Sequence, residues 1–480
     1  MYSAKIKEFI RTYVKALNEG NAAIFAGAGL SKPAGYVNWK ELMREIAEDL
    51  NLDIDMESDL IGLAQYHVNE YEGRNKINQI LVEEFTKDVK TTGNHKILSD
   101  LPINTYWTTN YDKLIEANLE ANNKKVDTKI VPENLSYTVP DTDAILYKMH
   151  GDSSLSHQAV LTKDDYEGYD LNRKLFSTAL QGDLVSKTFL FIGFSFDDPN
   201  LSYILSRIRI LLGENSRNHY CFMKRVGRDD YGSDNEFRYA EIKQELKIKD
   251  LKRYKISVLL VDSYNEITEI LKHIHNIVTR KNIFISGSAT DFGEWGETKT
   301  YEFSTNLSKE VITNKNNIIS GFGLGIGSCI IAGALEELYK NNEKRIENRL
   351  KSRPFPQVTT GGIPLKELWT KYREEMLSGV GVSIFIFGNK EDKKTGEIIG
   401  ANGMKEEFDI SIRNGAIPIP VGATGFTAQE LWEIVMSNFN NYVGVDALKP
   451  LYESLGDKTK TESELIEIVI NIVKELTKYY

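Results

Sequence analysis

An apolar run of strand length that empties straight into a glycine-rich turn and then a helix leaves a chain little choice of fold. Ala22-Ala23-Ile24-Phe25-Ala26 runs into Gly27-Ala28-Gly29-Leu30-Ser31, after an opening helical stripe of Ile6, Phe9, Ile10, Tyr13, Val14 and Leu17. The same grammar returns later. Asn282-Ile283-Phe284-Ile285 leads into Ser286-Gly287-Ser288, and Ile318-Ile319 leads into a glycine-rich turn over 320–328 and a helix through Leu338. Such glycines let backbone approach a phosphate, with helix N-terminal amides behind it. Further apolar runs at 106–109, 144–149, 189–194, 220–223, 257–261, 382–387 and 417–421 alternate with helical patterns, one of them over 39–50. This predicts an α/β fold of two tandem Rossmann-like, doubly wound parallel-sheet domains. Ile267, Ile270, Leu271, Ile274 and Ile277 share one helical stripe, after which the pattern restarts. The expected domains are therefore 1–280 and 281–480.

Composition narrows the function. The net charge of −10 over 480 residues argues against a general nucleic-acid binder, which carries a basic stripe. Two cysteines, Cys221 and Cys329, build neither a disulfide framework nor a four-cysteine zinc site. Both sit in apolar runs and are expected to be buried. His273 and His275 lie two apart on a helix and share no face, so no metal is expected. The first twenty residues lack a signal-peptide core, and the longest apolar runs fall far short of about 18 residues. The chain reads as cytoplasmic, with no membrane segment.

Two more segments lie where an open α/β sheet binds ligands, at the ends of apolar runs. They are Thr108-Thr109-Asn110-Tyr111-Asp112 and Lys148-Met149-His150-Gly151-Asp152. With the Gly27 turn and the segment 191–200, which holds Gly193, Ser195, Asp197 and Asp198, they occur in the order found in sirtuins. Residues 10–280 thus resemble the sirtuin NAD-binding domain, in its bacterial defence-associated branch. The resemblance implies that His150 is the general base near the nicotinamide ribose and that Asn110 orients water or ribose hydroxyls. It implies that Gly27, Ala28, Gly29, Ser31, Gly193 and Ser195 contact NAD, with Asp112 in the same loop. Breaking the nicotinamide–ribose bond develops oxocarbenium character, which favours positioned polar groups over a strong nucleophile. Protein-deacylating sirtuins carry a four-cysteine zinc module that this chain lacks, so water is the expected acceptor and NAD, as substrate, is expected to be hydrolysed.

The second half resembles the SLOG family of nucleotide-binding domains. LOG-type enzymes carry a Pro-Gly-Gly-x-Gly-Thr-x-x-Glu motif. The nearest segment here, Gly400-Ala401-Asn402-Gly403-Met404-Lys405-Glu406-Glu407, lacks the paired glycines and the threonine. That departure predicts binding without catalysis. Gly287, Ser288, Leu324 and Gly325 supply a phosphate-type turn. Arg373 and Lys390 are candidate cationic clamps, Phe355 a stacking ring, and Glu407 an acceptor for ribose hydroxyls beside Gly403. The bland reading of Arg373 and Lys390 is solvated surface charge. The polar stretch 358–364, with Gly361 and Gly362, reads as an exposed loop, and the last helix, over 462–476, as plain packing.

A sirtuin-like domain followed by SLOG is similar to the effectors of the Thoeris anti-phage system, over essentially the whole chain. The resemblance implies an NAD hydrolase activated by a cyclic ADP-ribose isomer made by a TIR-domain partner. It also implies a homotetramer assembled through the sirtuin-like domains and abortive infection through NAD depletion. In the resting state, a segment near Gly27–Ser31 or the His150 loop is expected to block access. Two rivals stay open: a nucleotide-regulated sirtuin deacylase, and a sensor that binds in both pockets without reacting.

Overall fold

The computed structural model describes residues 2–478 except Asp197, Gln357, Thr359, Thr360, Gly361, Lys393 and Lys394, and omits the side chains of Leu212 and Glu214. The chain divides into two compact units, Met1–His275 and Asn276–Tyr480.

In the first unit, β1 (Ala22–Ala26), β2 (Thr105–Thr108), β3 (Val126–Lys129), β4 (Ala144–Lys148), β5 (Thr188–Ile192), β6 (His219–Lys224) and β7 (Ile256–Val261) form one sheet, in the order β3-β4-β2-β1-β5-β6-β7. Every pairing is parallel. β1 is buried along its whole length, as the all-apolar Ala-Ala-Ile-Phe-Ala run of a central parallel strand requires. The opening helix, Ala4–Asn18, is capped by Ser3 and buries the stripe from Ile6 to Leu17. The expected single helix over 39–50 is two pieces. Asn38 and Glu41 form a capping box for Trp39–Leu42, and Met43, at φ −84° and ψ 0°, interrupts the helix before Arg44–Asp49.

In the second unit, β8 (Asn282–Ser288), β9 (Asn317–Ser320), β10 (Leu350–Ser352), β11 (Val382–Phe387) and β14 (Ile417–Pro420) form a parallel sheet in the order β10-β9-β8-β11-β14. β12 (Asn389–Glu391) and β13 (Ile398–Gly400) make a separate antiparallel hairpin. β8 runs three residues further than the sequence suggests: Ser286, Gly287 and Ser288 pair with Phe385, Ile386 and Phe387 instead of forming a turn. A Cβ on Gly333 would lie 2.1 Å from the Thr305 carbonyl oxygen, so the helices Gly296–Thr313 and Gly327–Lys340 meet backbone to backbone. The last helix, Glu462–Leu476, is capped by Thr461 and buries Leu465, Val469, Ile472, Val473 and Leu476 in the core, which is plain packing. Cys221 is buried, whereas Cys329, contrary to expectation, is half-exposed.

One buried histidine links this packing to pH. His219, at the start of β6, is 3% exposed, and its Nδ1 accepts a hydrogen bond from the Phe189 N–H. Burial, helped by the Arg217 charge, pushes its pKa from 6.5 down to about 4. The unfolded chain therefore takes up this proton first. The stabilisation is complete above pH 6.5 and is lost as pH falls from there towards 4, up to about 3 kcal/mol. The thermal midpoint of the first unit should fall over that window. His219→Gln, which keeps an acceptor but does not titrate, should flatten the fall; an unchanged slope in a pH series of melting curves would refute this origin.

Candidate functional site

In the first unit the strand order reverses at β1. Strands β2 to β4 lie on one side of it and β5 to β7 on the other, so a crevice opens at the ends of β1 and β5. The turn after β1 and the loop after β5 meet there. The Gly27 N–H donates to the Ile192 carbonyl (3.0 Å) and the Gly29 N–H to the Gly193 carbonyl (2.9 Å). A Cβ on Gly193 would lie 2.1 Å from the Leu30 nitrogen, and Gly193 has φ +64°; only glycine fits. Ala28, Gly29, Gly193 and Ser195 are solvent-exposed around this crossing, and Gly27 and Ser31 are buried beneath it.

Asn110 and His150 arrive from β2 and β4, which pair with Thr108 opposite Lys148. Asn110 is 8% exposed, and its Nδ2 donates to the Gly27 carbonyl and to Ser31 Oγ, both at 3.1 Å. The amide is thereby fixed against the glycine turn. Asp112 supports this loop from within: it is buried, and its Oδ1 accepts from the Leu114 N–H at 2.9 Å, opening the helix Leu114–Ala121. His150 is buried, and its ring meets Tyr166 and Tyr169 edge to face. Its Nε2 lies 3.1 Å from Asp198 Oδ2. Burial raises the Asp198 carboxyl, but the facing charge of a protonated His150 and nearby N–H donors bring it below the ordinary carboxylate range. An acid held ionised beside an imidazole stabilises the imidazolium that forms when histidine takes a proton.

Sequence reasoning gave Asp198 no role of its own, although its place before Pro199, as the cap of the helix Pro199–Leu212, was a signal that the residue is fixed in space. It also missed Arg173. The Arg173 guanidinium is buried and donates to the carbonyls of Ile130 (2.9 Å), Met149 (3.3 Å) and Gln158 (2.7 Å), clamping both flanks of the His150 segment. No motif marks it. Asp197 and Gly361 lie outside the described residues.

The second unit gathers its candidates around the ends of β8, β9 and β11. The Ala289 N–H donates to the Leu324 carbonyl at 2.9 Å, and a Cβ on Gly323 would strike the Gly287 carbonyl oxygen. Gly287, Ser288, Leu324 and Gly325 are thus one assembly. Ser288 Oγ donates to the Asn389 carbonyl at 2.9 Å, which brings the β12 hairpin, with half-buried Lys390, alongside. Arg373 is not the solvated surface charge of the bland reading: it is 7% exposed. Its Nη1 donates to Glu406 Oε2 (2.8 Å) and its Nε to Glu407 Oε1 (3.3 Å), and its guanidinium stacks 4.6 Å from the centre of the Phe355 ring. Gly403 leaves room for that guanidinium, since a Cβ there would lie 2.7 Å from Nη2. Glu407 accepts from Ser286 Oγ at 2.5 Å, and burial raises its pKa beyond what Ser286 and Arg373 offset. An anion entering here would compete with two carboxylates for Arg373.

Comparison with known proteins identifies both units. Residues 104–258 match a SIR2-like domain, and residues 266–476 match STALD, the Sir2- and TIR-associating SLOG family. Relatives named NAD(+) hydrolase ThsA are 47% identical in Cytobacillus dafuensis (97% of this chain and 96% of the relative), 47% in Acinetobacter baumannii strain 532279 (99% and 100%) and 48% in Bacillus cereus strain MSX-D12 (98% of each). The chain belongs to the ThsA family. Among the described residues, no group of three or more His, Cys, Asp or Glu is placed to hold a metal ion, and no helix is long and apolar enough to cross a membrane.

Gly193→Ala should displace the Gly27–Leu30 turn and destabilise the first unit by about 2 kcal/mol through overpacking alone, with left-handed strain added. Gly182, within the helix Lys174–Ser186, has nothing within 4 Å of a built Cβ. Gly182→Ala should hold or raise the thermal midpoint; equal melting of the two variants would contradict the crossing described here.

Proposed function

We propose that this chain hydrolyses the N-glycosidic bond of NAD+, giving ADP-ribose and nicotinamide, and that a cyclic ADP-ribose isomer bound by the second unit switches the reaction on. The observation that carries the reading is the convergence of Asn110 and His150 on the crevice between the Gly27 turn and the Gly193 loop. NAD+ is placed with its pyrophosphate along the exposed backbone of Ala28, Gly29 and Gly193 and its nicotinamide ribose towards Asn110 and His150. Nicotinamide leaves with the bonding electron pair, and positive charge develops at C1′. Water attacks C1′, forming the new C–O bond, and the His150 imidazole takes the water proton while Asp198 balances the imidazolium. The proton then passes to solvent.

In the second unit, Glu406 and Glu407 are engaged by Arg373, in keeping with binding alone. The cyclic ADP-ribose isomer there would lie against Gly287, Ser288, Leu324 and Gly325, draw Arg373 away from Glu406 and Glu407, and take Lys390 from the hairpin. The source of the signal is a TIR-domain protein, which the TIR-associating character of the matched family supports. A homotetramer is supported by exposed apolar side chains on the first unit, including Tyr239, Ile242 and Leu246 at helical spacing on Asp234–Lys252. The protein acts in the cytoplasm, where depletion of NAD+ aborts the infection. In the resting state, closure around the Gly27 turn and His150 limits access.

Nicotinamide release from NAD+ by the purified chain tests this, with cyclic ADP-ribose isomers closed through the adenine ring or through a ribose hydroxyl. Release should depend on one of them, and His150→Ala should lower it by about 100-fold or more. Arg373→Ala should lose the activation while retaining NAD+ binding. Release that requires an acylated peptide, or an unaffected His150→Ala variant, would sink the reading.

A further inference from the structure

Lys148 ends β4 two residues before His150 and is fully buried, at 0% exposure. A lone buried ammonium is costly, yet this one is surrounded by acceptors from both sides of the crevice. Its Nζ donates to the Asp112 carbonyl, to the Tyr111 carbonyl (3.5 Å), to Glu116 Oε1 (3.1 Å) and to Asp152 Oδ2. Three of those acceptors belong to the segment that carries Asn110 or to the helix it opens; the fourth belongs to the segment that carries His150. Asp152, also at 0% exposure, in turn accepts from the backbone N–H and hydroxyl of Ser154. The Ser153 N–H crosses back to the Tyr111 carbonyl at 3.1 Å.

The charges agree with the geometry. Burial lowers the Lys148 pKa, but Glu116 and Asp152 more than offset it and hold the ammonium protonated. Asp152 is driven low because Lys148 outweighs its burial. Glu116 is raised, because its burial outweighs the pull of Lys148, and Lys148 and Asp152 stand as a buried ion pair. A pair of this kind adds little net stability compared with apolar side chains of the same size, and can cost some. What it does supply is direction. Apolar packing tolerates sliding, whereas an ammonium bonded to named oxygens on two loops fixes the distance between them.

We infer that Lys148 is a positioning residue for NAD+ cleavage, an internal strut that holds the Asn110 loop and the His150 loop at the separation the reaction needs. The inference rests on the reading of Asn110 and His150 as the reacting pair. Neither loop has any other fully buried cation reaching both of them among the described residues. Misplacement of reacting groups by about 1 Å costs on the order of 100-fold in rate, so loss of the strut should show in turnover before it shows in binding.

The test uses the full chain and the double variant Lys148→Met with Asp152→Asn, which removes this ion pair as a unit. Its thermal midpoint should stay within a few degrees of the parent. Its kcat for nicotinamide release should fall about 100-fold with KM changed less than about threefold, measured at matched concentrations of NAD+ and of the cyclic ADP-ribose isomers used above. A folded double variant with kcat within threefold of the parent would overturn the inference. So would loss of its cooperative melting, because the network would then be holding the fold and not the loops. His150→Ala is run in parallel. Full turnover in that variant removes the reading of the site itself, whatever the Lys148 result.

Discussion

Parallel strands put all their C-terminal ends on one edge, and reversal of the strand order opens that edge at a single place. Both units obey this constraint. In the first, neighbours depart from β1 in opposite directions; in the second, they depart from β8. Each first strand delivers a glycine-containing segment to the opening, and each opening then receives one polar cluster from strands further along the chain. The remaining architecture, including the helix-to-helix backbone contact at Gly333 and the packed terminal helix, serves to keep those edges in register.

The two openings treat buried charge differently. Around Lys148, one cation meets carboxylates and carbonyls that belong to the scaffold of the site, at nearly complete burial. Around Arg373, the carboxylates of Glu406 and Glu407 sit on the helix Asn402–Arg413, and Glu406 is a third exposed. The first arrangement fits a fixed framework. The second fits an exchange, in which a planar, permanently charged guanidinium can trade carboxylate partners for phosphate oxygens without leaving its place on Phe355.

Much of this was legible before any coordinates. The strand and turn grammar of 22–31, the strand at 282–285, and the ends of the apolar runs at Asn110 and His150 are local signals, and local signals survive in a sequence. What was not legible depends on three-dimensional neighbours. β8 continues through Ser288 because β11 lies beside it, a fact no window of residues contains. Arg373 could be read as a clamp or as surface charge, and only Glu406, Glu407 and Phe355 around it show that it is buried. Lys148 stands inside a quoted motif, yet its partners at Asp112 and Glu116 are more than thirty positions away. Met43 breaks a helix whose apolar period never falters. Arg173 has no signal at all, since three carbonyls on separate segments define its role.

The energetics of the proposed switch set a demand on the second unit. Moving a two-state equilibrium from 1:99 to 99:1 takes about 5.5 kcal/mol of differential binding. In a tetramer that switches as one body, four sites share that, at about 1.4 kcal/mol each. One net charge-assisted hydrogen bond gained at Arg373 would be of that size, since hydrogen bonds to charged groups contribute roughly 1.5–3 kcal/mol. A monomeric switch would need the whole amount from one pocket whose main cation already has partners. In such a tetramer each site would need to contribute only a modest preference, and none would need to be very tight.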